Sequence, residues 1–198
     1  NIGVGADKGL PPHLTDAAFR DYFKIATGSA DQYALTSDDF VALARNYGRM
    51  GGVDRLATLI KAIRTERGAD KVLLLDGGDT WQGSWTSLQS KGQDMVDVQA
   101  ALGIEAMVSH WEFTYGAERV KEIIGKAPFA FLAQNIRDKE WQEPVFDARR
   151  MFEKGGVKIA VIGQAFPRTP ISNPAWMIPD WEFGLREEDL QTQVDESR

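Results

Sequence analysis

The chain contains no cysteine. That excludes a disulfide framework, a thiolate nucleophile, an iron-sulfur cluster and a thiolate zinc site, and it leaves redox compartment open. Histidine is nearly absent as well, with His13 and His110 the only 2 in 198 residues. A centre that needs several imidazoles cannot be completed by this chain alone, so oxygen donors must carry most of any metal chemistry. Positive charge is the minority sign, 23 Lys and Arg against 29 Asp and Glu for a net charge of -6. No basic run is dense enough to neutralise a row of phosphates, which sets nucleic acid aside as a partner. No uncharged apolar stretch reaches the roughly eighteen residues that a membrane-spanning helix requires. The chain opens on Asn1 without an initiator Met or a charged-then-apolar leader, and the expectation is a piece with no membrane span whose N-terminus lies upstream.

What is present is ordinary globular material, 43% apolar and 26% charged, enough for one core of moderate size. Residues 1–15 combine several glycines with Pro11-Pro12 and have no period of either kind, so they read as an irregular entry segment. Thr15 is placed as N-cap for a helix over 16–24, and Ser37 as N-cap for another over 38–46. In residues 53–67, Leu56, Leu59, Ile60 and Ile63 recur at i, i+3, i+4 and i+7, one buried stripe of a helix that Gly68 ends. Residues 71–76 form a short apolar run stopped by Gly77-Gly78, as expected of a strand buried on both faces.

A Gly-, Trp- and Gln-rich loop follows, then a helix over 94–102 presenting Met95, Val98 and Leu102 and a strand over 105–108. A helix over 117–126 turns Val120, Ile123 and Ile124 inward, and a strand occupies 129–133. A hairpin-like stretch at 145–152 leads through the Gly155-Gly156 turn to a strand at 157–162. Residues 165–184, with Pro167, Pro170, Pro174 and Pro179, read as an irregular covering loop. An amphipathic helix begins at 187 and runs uncapped to Arg198, which suggests that the boundary falls inside a domain. The alternation of helix and strand predicts an α/β layered fold, read as a single incomplete domain over 1–198.

In α/β sheets ligands collect at the carboxyl ends of the strands, where loops converge on a rigid scaffold. The ends here carry Gly77-Gly-Asp-Thr-Trp-Gln-Gly-Ser84, Ser109-His-Trp-Glu-Phe-Thr-Tyr-Gly116 and Gln134-Asn135. Asp79 and His110 are hard-to-borderline donors of the kind that hold Mn, Zn or Fe, and Asp79 has two oxygens with which to bridge two ions. Taken singly, each also has a plain structural reading: an Asp in a Gly-rich turn that bonds its own backbone, and a satisfied structural His. Asn135 is either a substrate-binding amide or a turn-forming Asn. Glu112 reads as a loop-fixing residue rather than a base. Arg49 and Arg137 are possible anion contacts against the commoner surface arginine. Trp85, Trp141, Trp176 and Trp181 either wall a channel or pack beneath loops, and His13 faces solvent.

The Gly78-Asp79-Thr-Trp-Gln-Gly-Ser segment resembles the second metal motif of the calcineurin-like metallophosphoesterases in its 5'-nucleotidase form. Tyr47-Gly-Arg-Met-Gly-Gly52 with the helix after it resembles the Gly-Gly segment of that branch. Where the nucleotidase pattern reads Gly-Asn-His-Glu-Phe-Asp, this chain reads Ser109-His-Trp-Glu-Phe-Thr114. His110 thus falls on the metal-binding Asn position, and Trp111 on that of the His that protonates the leaving oxygen. An indole N-H donates a hydrogen bond but cannot shuttle a proton near neutral pH. This form, together with Phe131-Leu-Ala-Gln-Asn-Ile-Arg-Asp138, Trp141-Gln-Glu-Pro-Val-Phe146 and Ile162-Gly-Gln-Ala-Phe-Pro167, resembles the SoxB thiosulfohydrolase group of that branch.

The resemblance implies a partial four-layer α-β-β-α metallophosphoesterase sandwich in the periplasm, with two manganese ions held in part by Asp79 and His110. It implies hydrolysis of a cysteine S-thiosulfonate to sulfate, on a substrate carried by the SoxYZ carrier protein. Trp111 and Asn135 are the substrate-binding candidates, and no catalytic acid or base is assigned. The family's Asp-x-His and Gly-His-x-His motifs are expected before Asn1 and after Arg198. Ser109 stands where the group more often has Gly, so a positive φ there would strain it. The alternatives are a 5'-nucleotidase-type phosphoesterase and a non-catalytic relative that serves as a binding module.

Overall fold

A computed structural model describes residues 16–48 and 51–198. The Thr15 cap, His13 and Arg49 lie outside the described residues. The chain divides into two compact units, Asn1–Leu56 and Ala57–Arg198.

The first unit holds α1 (Asp16–Phe23), α2 (Ala30–Leu35) and α3 (Phe40–Tyr47), and α4 (Val53–Arg67) runs from it into the second. The six-residue α2 has no apolar period to announce it; it exists because Ser29 accepts from the Gln32 N-H at its start. The buried Gln32 side chain then accepts from Gly28 N-H and donates to the Asp38 carbonyl, joining the loops on either side. Among its described residues, Tyr33 and Leu43 are the buried apolar ones. Ser37 does not cap α3. Its hydroxyl donates to the Asp16 carboxylate, and Asp39, at φ 53°, takes the N-cap place.

The α4 helix spans the expected residues and ends at Gly68, whose φ of 91° only glycine adopts without strain. Its stripe is another matter: Ile60 is buried, whereas Leu56, Leu59 and Ile63 are exposed. Periodicity shows which face is apolar, and burial requires a second surface to cover that face.

In the second unit β1 (Leu75–Asp76), β2 (Ala106–Val108) and β3 (Ala130–Leu132) form a parallel sheet in that order. The β1-to-β2 crossover carries α5 (Trp85–Ser90) and α6 (Gln93–Leu102), and the β2-to-β3 crossover carries α7 (Ala117–Ile124). Only the last two residues of the expected 71–76 strand pair, because Ala69–Lys71 turn as a 3-10 helix. Nor is the strand buried on both faces: β1 is at the edge of the sheet, and Leu75 is 46% exposed. On α6 the buried residues are Val96 and Gln99, while Met95, Val98 and Leu102 are half-buried.

β4 (Ile136–Asp138) follows, then β5 (Arg149–Lys154) and β6 (Val157–Ile162), which form an antiparallel hairpin. Gly155 and Gly156 turn it with φ of 57° and 80°, the two positive values that a tight hairpin turn demands. The proline-rich stretch contains α8 (Thr169–Ser172) and β7 (Trp181–Phe183), and β7 pairs antiparallel with β4; α9 (Glu187–Glu196) comes last. Trp181 is buried edge-on against Phe113 and Phe146, whereas Trp85, Trp141 and Trp176 are exposed. The core gathers Trp81, Met107, Phe113, Val120, Phe131 and Ile136 between sheet and helices.

Candidate metal centre

The sheet register places the site. Asp76 lies opposite Met107, so Asp79 and His110, each three residues further on, leave neighbouring strands at the same level. The loop after β1 is wound around Asp76, whose Oδ1 accepts from Gly78 N-H at 2.8 Å and from the Thr80 hydroxyl at 2.9 Å. Its Oδ2 accepts from Gln99 Nε2 at 2.7 Å, and Gln99 Oε1 in turn accepts from the Trp81 indole N-H at 2.8 Å. Wound this tightly, the loop carries Asp79 at φ 64°, a left-handed conformation that Asp tolerates better than most residues.

The second loop is tied to the first by Glu112. Its Oε1 accepts from Thr80 N-H at 2.8 Å and its Oε2 from His110 N-H at 2.6 Å. The carboxyl is wholly buried, and burial pushes its pKa above the ordinary carboxylate range while the His110 and Thr80 N-H bonds pull it down. Structure and sequence reading agree that Glu112 fixes the loops.

These ties bring Asp79 Oδ2 to 3.8 Å from His110 Nδ1. That nitrogen is buried and has no hydrogen-bond partner, which is costly unless something is to be bound there. Donors each about 2.1 Å from one cation sit roughly 3–4 Å apart, and a carboxylate oxygen with an imidazole nitrogen suits a borderline divalent ion. The pair therefore fits a metal. The other Asp79 oxygen accepts from Gln82 Nε2, which turns the carboxylate. Among the described residues no group of three or more His, Cys, Asp or Glu could hold a metal, so these two could supply only part of a coordination shell.

The other candidates are placed as follows. Trp111 is half-buried next to His110, with ring centroids 6.1 Å apart. Asn135 is wholly buried: its Nδ2 donates to the Ala165 and Gly184 carbonyls at 2.9 and 2.7 Å, and its Oδ1 accepts from Ala165 N-H at 2.8 Å. Arg137 donates to the Gln142 carbonyl and pairs with Asp189 at 2.7 Å. Ser109 has no positive φ and so escapes the strain considered for it; its carbonyl accepts from Phe166 N-H. Sequence reasoning passed over Asp76, Gln82 and Gln99. The available signal was a carboxylate at a strand end immediately before Gly-Gly.

Known proteins resemble this chain in sequence and in fold. No family model matches the chain. A snake venom 5'-nucleotidase from Gloydius brevicauda is 32% identical over 185 residues, covering 84% of this chain and 30% of the relative. A 5'-nucleotidase from Vibrio vulnificus is 35% identical over 135 residues, 66% of this chain and 24% of the relative. Among solved structures, the sulfate thiohydrolase SoxB of Thermus thermophilus, in complex with glycerol, superposes with TM-score 0.78 at 39% identity over 94% of this chain and 35% of that one. The chain is related to the 5'-nucleotidase and SoxB metallophosphoesterases and carries part of their fold. A 5'-nucleotidase precursor, also from Thermus thermophilus, superposes with TM-score 0.64 at 27% identity, covering 74% of this chain and 29% of that one. The chain thus spans about a quarter to a third of the length of these relatives. The expected α/β class is the observed one.

Proposed function

We propose that the protein is a metal-dependent hydrolase that releases sulfate from a cysteine S-thiosulfonate held on a carrier protein. The observation that carries this reading is the convergence of Asp79 Oδ2 and the unpartnered His110 Nδ1 at the carboxyl end of the sheet. Sulfur chemistry is favoured over phosphate chemistry by Trp111 on the acid position. The match to the SoxB structure also has greater coverage, identity and TM-score than that to the nucleotidase precursor.

Two divalent ions, manganese by resemblance, would supply Lewis-acid charge to the sulfonate and the means to deprotonate water at neutral pH. Asp79 and His110 would hold them, with further donors contributed from outside this chain. The chain itself is read as part of one catalytic domain. Glu112 keeps the two ligand loops in register. Trp111 faces the substrate and can donate one hydrogen bond, and the persulfide leaving group, a weaker base than an alkoxide, has less need of a protonating His. Asn135, its amide committed to Ala165 and Gly184, is read as fixing the end of β3 beside the site. The carrier is proposed to be SoxYZ and the compartment the periplasm; no helix among the described residues is long and apolar enough to cross a membrane.

A 5'-nucleotidase reading is favoured by the sequence relatives, which bear that name over 66–86% of the chain. Product analysis on the full-length protein separates the readings. Sulfate from the carrier-bound thiosulfonate without phosphate from AMP supports the proposal, phosphate release reverses it, and neither product leaves a binding module. Trp111→His is expected to add phosphatase activity, and no gain would refute the role given to Trp111.

A further inference from the structure

His110 is gripped from behind by the segment that follows β6. The Phe166 ring lies over the imidazole with centroids 4.6 Å apart and planes inclined by 34°. Phe166 N-H donates to the Ser109 carbonyl at 3.3 Å. The Thr169 hydroxyl, wholly buried, lies 3.1 Å from the His110 carbonyl and 2.8 Å from the Phe166 carbonyl, so one proton is shared between them. With the Glu112 bond to His110 N-H, the peptide on each side of His110 is pinned and one ring face is covered. Phe166 is only half-buried and stands outside the hydrophobic core cluster, so its contact with His110 is not a by-product of core packing. The stack fixes the plane of the imidazole, the plane in which Nδ1 lies 3.8 Å from Asp79 Oδ2.

We infer that Phe166 and Thr169 are positioning residues that preset the His110 imidazole with Nδ1 toward Asp79, and that they thereby set how tightly a divalent cation is held. This rests on the metal role proposed for Asp79 and His110. Outer contacts that orient a ligating imidazole are commonly worth about 10–100-fold in metal affinity.

The test is titration of the metal-stripped full-length protein with Mn2+, followed by the paramagnetic resonance signal of free Mn2+, alongside metal-free melting curves. Phe166→Leu and Thr169→Val are each expected to raise the Mn2+ dissociation constant at least tenfold, with metal-free melting near wild type for Phe166→Leu and lowered by a few degrees for Thr169→Val, which loses a buried hydrogen bond, and Thr169→Ser to restore wild-type affinity. If both variants bind Mn2+ like wild type while Asp79→Ala has lost it, the positioning role is refuted and the metal reading stands. If Asp79→Ala and His110→Ala themselves bind like wild type, the metal reading falls and takes this inference with it. A Thr169→Ser variant as weak as Thr169→Val would also overturn the role given to the hydroxyl. Should Thr169→Val fail to fold, Phe166→Leu decides alone.

Discussion

Gly78 sits where the loops that bear Asp79 and His110 touch. A Cβ there would lie 2.5 Å from the Val108 carbonyl oxygen and 2.8 Å from His110 N, and φ is 87°. Gly78→Ala is therefore expected to destabilise by at least about 1–3 kcal/mol from backbone strain alone. In a chain of this size that lowers the melting temperature by roughly 2–4 °C per kcal/mol, read by calorimetry. Glu112→Gln tests the neighbouring tie. Both carboxylate oxygens accept backbone N-H groups, whereas a carboxamide offers one acceptor and turns an NH2 toward the other donor. A loss of about 1–3 kcal/mol in denaturant unfolding is expected for the N-H left unpaired. At this scale the sequence was informative for residues whose type limits their use, such as a carboxylate in a Gly-rich loop or a nearly unique imidazole. It was silent on Asp76 and Thr169, whose partners lie in the fold rather than in their neighbours along the chain.

Among the elements, α6 shows why polarity misleads. Gln99 is buried because its amide bridges the Trp81 indole and the Asp76 carboxylate, and an apolar period has no place for it. Gln99→Leu is expected to leave the buried Trp81 indole N-H unpaired and to take one of its donors from Asp76, which keeps those of Gly78 and Thr80, at a cost of about 1–3 kcal/mol, while Val98→Ala, at a half-buried position, costs less; urea unfolding compares the two. The Gly155-Gly156 hairpin was legible because its turn chemistry is local. The β4–β7 pair was not: each strand has three residues, and their pairing spans a proline-rich stretch that offers no alternation to read. The α4 helix stands between these cases, its existence and end written locally and the exposure of Leu56, Leu59 and Ile63 decided elsewhere.

For the whole molecule, a centre that binds the folded state alone should couple metal to stability. Mn2+ at a hundred times its dissociation constant is expected to add about 2.7 kcal/mol to the full-length protein. A chelator should remove that gain, and Asp79→Ala should abolish it; thermal melting against metal concentration reads all three, and a melting temperature indifferent to Mn2+ would contradict the proposed site. The α/β class, the order of the main helices and strands, and the loops that bear Asp79 and His110 were determined by sequence alone, because periodicity, glycine turns and strand ends are local properties. What only the tertiary structure decided is that 31 positions of separation shrink to 3.8 Å between Asp79 Oδ2 and His110 Nδ1. Parallel register sets neighbouring strand ends level, and side chains such as buried Glu112 and half-buried Asp76 lock the loops there, through contacts with residues far apart in the chain.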